Sequence, residues 1–166
     1  MAISKTFLDE LLQEEKSTRK LLERVPENSL TYKPHEKSFP LSRLASHIAE
    51  LPGWISAILD NDELDFGKVK FTPPVINKPS DLIKLHEENI NRAVKSLENA
   101  LDEEFSKNWT LKNNDTIVFS RPKNVVLKNF AFNHLYHHRG QLTVYLRMLD
   151  VPLPGIYGPT ADEKME

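Results

Sequence analysis

KNVVLKNFAFNHLYHHRGQLTVYLRML, residues 123–149, is the stretch on which the reading of this chain turns. Leu127, Ala131, His134, His138, Leu142, Tyr145 and Leu149 recur at three- and four-residue intervals, the period of one face of an α-helix. The pattern predicts one long helix from about Lys123 to Leu149, with an inward stripe that is apolar except for two histidines. Side chains four apart leave consecutive turns of the same face, so His134 and His138 can share one ion. Buried imidazoles need a partner of some kind. Spacing alone leaves three answers open: a metal, backbone or water partners in an ordinary core, or exposed rings on a misjudged stripe.

Upstream of that helix, Trp109, Leu111, Ile117 and Phe119 flank Asn113-Asn114-Asp115, which predicts a short β-hairpin over 108–120. Ser80, placed to cap after Pro79, and the run Ile83, His86, Ile90, Ala93, Val94, Leu97 and Leu101 mark another helix. Residues 60–79, with Pro73, Pro74 and Pro79, read as a loop. Opening at Pro40 or Ser42, a helix carries Leu44, His47, Ile48, Leu51, Trp54, Ile55 and Ile58 on one broad face, bent where Pro52 removes a backbone donor. The first helix runs from Ile3 to about Val25, where Pro26 stops it, and 26–40 is a connector. The expected fold is all-α: a four-helix bundle with at least one crossover, a small hairpin before the last helix, and a proline- and glycine-rich tail.

Composition narrows the function. A chain of 166 residues, 39% hydrophobic and 28% charged, is the size and make-up of one globular domain, 1–166, able to bury a core. Its 24 acidic and 22 basic residues leave a formal charge of -2 with no long block of either sign, which argues against nucleic acid. The count of cysteines is 0, which excludes disulfides, thiolate ligands and a cysteine nucleophile, so any metal is held by nitrogen and oxygen. The charged amino terminus lacks a signal-peptide core and no segment is apolar enough to span a membrane; a soluble cytoplasmic protein is expected.

His47 supplies a third inward imidazole, in line with Leu51 and Trp54, although a single inward histidine is also an ordinary core residue. Three nitrogens from two helices would hold a divalent transition metal and leave a position vacant for water or substrate. Imidazole suits zinc, nickel, iron or copper. A di-iron centre would need E-x-x-H motifs, and the sequence has none. Around the three histidines, Glu50 either orients an imidazole or forms a surface salt bridge. Arg139 should pair with an acid between helices, Gly140 should mark a close helix contact, and Gln141 could touch a ligand. His137 points about 100° away from His138, while His86 and His35 read as core and surface residues. Trp54 and Tyr145 either wall a pocket or belong to the core. No separate general base stands out, so catalytic residues are unassigned.

HLYHHRGQL at 134–142, with SHIAEL at 46–51 and VPLPGIYGP at 151–159, resembles the DinB/YfiT-like family of metal-binding four-helix bundles. The resemblance implies that His47, His134 and His138 hold zinc or nickel, and that the protein is a homodimer. For activity it implies a metal-dependent hydrolase or thiol-dependent transferase acting on a small molecule, with a low-molecular-weight thiol as partner. A non-catalytic dimeric bundle that binds a metal or small molecule is the alternative.

Overall fold

The computed structural model describes residues 2–164. Its helices are α1 (Ile3–Leu22), α2 (Leu41–Glu50), α3 (Gly53–Leu59) and α4 (Pro79–Asn99). The last long helix starts as α5 (Lys123–Val126), passes through a π-helical stretch (Leu127–Asn133) and continues as α6 (His134–Met148), with helical dihedrals at both junctions. Taking α2 with α3 and α5 with α6 as one rod each, the chain is a four-helix bundle. The rods form a ring: α1 packs on α4, α4 on α2 and α3, α2 on α6, and α6 returns to α1. The first and second rods are therefore diagonal, so the 26–40 connector crosses the end of the bundle, as does the strand-bearing link after α4.

That link contains β2 (Asn108–Asn113) and β3 (Thr116–Pro122), paired antiparallel around a turn in which Asn114 takes a positive φ of 54°. Asparagine tolerates that conformation, which is why the Asn-rich turn was legible. The loop expected over 60–79 hides a third strand, β1 (Glu63–Asp65), parallel to β2. Three residues with no apolar alternation carry no strand signal. Tertiary contacts hold β1 instead: the Asp65 carboxylate accepts the backbone N–H groups of Gly67 and Asn114.

Other boundaries shift for local reasons. The expected bent second helix is two helices, because at Leu51-Pro52 the backbone bonds shorten to Trp54 N–H onto Leu51 and Ile55 N–H onto Pro52. α4 is capped at Lys78 rather than Ser80. Pro79 takes the first helical position, where its missing N–H costs nothing, and the Asp81 carboxylate accepts the N–H groups of Asn77 and Lys78. α4 stops at Asn99, leaving Leu101 outside the helix and exposed. α1 ends at Leu22, and Arg24 and Val25 continue only as a tightened turn.

Two apolar clusters fill the interior. One gathers Phe105, Trp109, Leu127, Phe132 and Ile58 near the sheet; the other gathers Leu21, Leu44, Ile48, Leu82 and Leu146 toward the tail. Tyr145 lies in the second, its hydroxyl donating to the Phe39 carbonyl, so it is core rather than pocket wall. Arg139, 2% exposed, reaches from α6 to α1 and meets Glu14, 4% exposed, at 2.5 Å. The Tyr157 hydroxyl, from the tail, donates to the same carboxylate at 2.6 Å. The expected helix-to-helix ion pair is therefore present, and it also straps down the carboxyl-terminal segment.

His86 is fully buried, and neither ring nitrogen makes a hydrogen bond. Burial pushes its imidazole down to about 4, against the opposing pull of Glu15. The unfolded ring takes its proton near pH 6.5, so folding stability is complete above that value and falls as the pH drops toward 4. Between pH 8 and pH 5 the loss from this residue is on the order of 2 kcal/mol, at about 1.4 kcal/mol per pH unit. Urea unfolding at both pH values should reveal it, and His86→Leu should flatten the dependence by that amount. An unchanged slope in the variant would assign the acid sensitivity to other groups.

Candidate metal centre

α2 and α6 pack together, and three imidazoles meet between them. His47 Nε2 lies 3.3 Å from His134 Nε2, and His138 Nε2 lies 2.9 Å from the same atom. All three candidate ligand atoms fall within 4.8 Å of one another, and the residues are half-buried. Two nitrogens at tetrahedral angles on an ion with bonds of about 2.0–2.1 Å would be about 3.3 Å apart. The observed spacing is close to that.

The outer nitrogens explain the orientation. His138 Nδ1 lies 2.7 Å from Gln141 Oε1, an acceptor that fixes the proton on that side. His134 presents Nε2 to both other rings. His47 Nδ1 faces the Glu50 carboxylate at 3.9 Å. In the tautomers with the proton on the outer nitrogen, the inner nitrogens point lone pairs into one shared space. Three facing lone pairs repel unless a cation lies among them, and outward acceptors are the usual second partners of metal-binding histidines. The donor set thus fits a divalent transition metal.

Protonation agrees with that arrangement. Burial holds His138 down to about 4, with Gln141 opposing and the neighbouring histidines adding to the depression. His134 is also lowered, first by burial and then by His47. Neutral imidazole is the form that binds metal.

Each neighbour singled out from the sequence has a definite place. Glu50 forms a salt bridge, 2.8 Å from Arg43 Nη1, and the same oxygen is the one facing His47. Gln141 touches the site through His138. His137 is exposed and its ring lies beside His138 without joining the cluster. Trp54 is half-buried and packs against the core, with its ring centre 5.8 Å from that of Phe130 and 6.4 Å from that of Trp109. His35 is exposed in a turn, as expected. Gly140 is not a close contact: a Cβ built there meets nothing within 4 Å. A groove between α1 and the tail, lined by Gln13, Lys20, Tyr157 and Glu163, shares no residue with the site.

One neighbour escaped the sequence reading. Arg43 sits four residues before His47 and seven before Glu50, which places all three on one face of α2. That spacing was visible in the sequence; what hid it was that an arginine near a helix start reads as surface.

Known proteins share this fold and family. The uncharacterized protein YrdA of Bacillus subtilis (strain 168) is 28% identical over 157 residues, spanning 95% of this chain and 89% of that protein. Crystal structures of two DinB-like proteins share the fold. One, YjoA of Bacillus subtilis, superposes with a TM-score of 0.71 at 20% identity, over 97% of this chain and 99% of the other. The other, from Bacillus cereus ATCC 10987, also has a TM-score of 0.71, at 24% identity, over 94% and 98%. The model of the DinB family matches residues 1–165, and the chain belongs to that family.

Proposed function

We propose that His47, His134 and His138 hold one zinc or nickel ion with an open coordination position, and that the protein uses it as a hydrolase or thiol-dependent transferase on a small molecule. The observation that carries this reading is the convergence of three Nε2 atoms, with acceptors facing the outer nitrogens of His138 and His47. A bound ion would supply a Lewis acid there, polarising a carbonyl or activating a water or thiol. The chain's own contributions are distinct. Gln141 and Glu50 face the outer nitrogens of His138 and His47 and orient those rings. Glu50 is committed to Arg43, and exposed His137 is a further titratable group beside His138.

The proposal includes a cytoplasmic homodimer. No described helix is long and apolar enough to cross a membrane. On α6, Gly140 with open space above it, Val144 and Met148 form an exposed stripe at four-residue spacing that a second copy could cover.

Elemental analysis of the purified protein, together with light scattering, tests both parts. About one ion per chain and a dimer mass are expected. Turnover of an ester, amide or thiol-reactive electrophile should require that ion. Protein that takes up no zinc or nickel at neutral pH would defeat the metal reading. Stoichiometric metal without either activity would point to a binding bundle instead.

A further inference from the structure

The Arg43 side chain is held more firmly than an ordinary surface arginine. Its Nη1 donates to Glu50 Oε2 at 2.8 Å and to Ser46 Oγ at 3.1 Å. Two aromatic rings hold the guanidinium, Phe39 at 5.9 Å and Phe71 at 5.6 Å from its carbon. Its side chain is 22% exposed. Among the described hydrogen bonds, Nη2 and Nε have no acceptor. The result is a clamped fork with one edge unused, one helical turn from the ligand His47; side chains four apart on a helix lie about 5–6 Å apart at Cβ. A planar guanidinium presented this way matches a carboxylate bidentately.

The segment that supplies Phe71 adds a second indication. Phe66 packs on Trp54 with ring centres 6.4 Å apart, while Phe71 lies on Arg43. The two anchors fall on either side of His47 along the α2–α3 rod, so residues 66–71 run alongside the metal centre. Between them stand Lys68, which pairs with Asp65, and Lys70, exposed and in no ion pair among those described. The approach to the site is thus flanked by aromatic surface and positive charge, although the whole chain is slightly acidic.

We infer that Arg43 is a specificity-determining residue that receives a carboxylate of the ligand, so that the site selects small anionic molecules whose other end reaches the open metal position. This rests on the metal reading above and goes beyond it by naming the ligand class. Glu50 and Ser46 preset the fork, so little conformational entropy is lost when the carboxylate arrives.

The test uses the full chain loaded with Co2+, whose visible absorption reports ligands entering the open position. Two thiols of similar size serve as probes, anionic 3-mercaptopropionate and neutral 2-mercaptoethanol. Wild-type protein should bind the anionic thiol about tenfold more tightly, the scale of one charge-assisted contact. In Arg43→Gln that preference should collapse to about twofold or less, while affinity for Co2+ and for the neutral thiol changes by less than about threefold. Arg43→Lys, which keeps the charge but loses the fork, should retain part of the preference. Phe71→Ala, which leaves the charge in place and removes one clamp, should lower it in a protein whose fold does not depend on an exposed ring. Equal preference in wild type and Arg43→Gln, or an equal loss for both thiols, overturns the inference alone. Failure to take up Co2+ overturns the metal reading and this inference with it.

Discussion

Substituting His138 by alanine is expected to weaken zinc binding by about 10²–10³-fold while leaving the helix content unchanged. Structural zinc sites with four ligands bind with roughly 10–16 kcal/mol, so one ligand's share is about 3–4 kcal/mol. His138 is half-buried, its Nε2 meets His134 and its Nδ1 meets Gln141, both on the same helix, and across to α2 its ring touches only His47 of the cluster itself. Losing the ring therefore removes a ligand without opening the core. Competition against a chromophoric chelator measures the affinity, and circular dichroism checks the fold. His137→Ala is the matched control: it removes an exposed histidine next in sequence, and binding should change by about twofold or less. If the two variants bind zinc equally well, the cluster is not the site.

Replacing Arg139 by glutamine should cost about 3–5 kcal/mol of folding stability, because it strands the Glu14 carboxylate in the interior without its cation. Tyr157 still donates to that carboxylate, but a neutral hydroxyl cannot offset a buried charge. The double replacement Arg139→Met with Glu14→Leu removes both charges and should recover most of the loss, as buried pairs exchanged for apolar residues commonly do. Urea denaturation of the single and double variants separates the cases. A single variant that loses less than about 1 kcal/mol would mean that the pair is solvated and contributes little. Since Arg139 directly follows the proposed ligand His138, the same comparison shows whether anchoring α6 to α1 also holds the candidate metal site: zinc affinity should follow the stability of the variants.

Much of the bundle was legible because it is local. The 3.6-residue period in Leu127, Ala131, His134, His138 and Leu142 located the last helix, and Pro26 and Pro79 marked where others stop or begin. The asparagine-rich turn revealed the hairpin. Arg139, turned away from His138 on the helix, was expected to pair with an acid between helices, and it meets Glu14 of α1. Readings failed where a neighbour distant in sequence decided the outcome. β1 exists because Asp65 accepts bonds from Asn114 across the sheet. Gly140 carried a packing signal, yet the space above it is open within the chain, so no single-chain contact explains it.

By itself the sequence determined the helices, the inward faces of His134 and His138, and the absence of sulfur ligands, all properties set by spacing and composition. It left His47 as one inward histidine among others unless the family resemblance was invoked. Only the tertiary structure decided that His47 meets His134, 87 residues away, with ring nitrogens 3.3 Å apart. It also decided that Glu50 and Arg43 stand behind that ring rather than in open solvent. The physical reason is that a helix's own period says which side chains share a face, whereas which two faces meet, and in what register, is settled by the packing of the whole core.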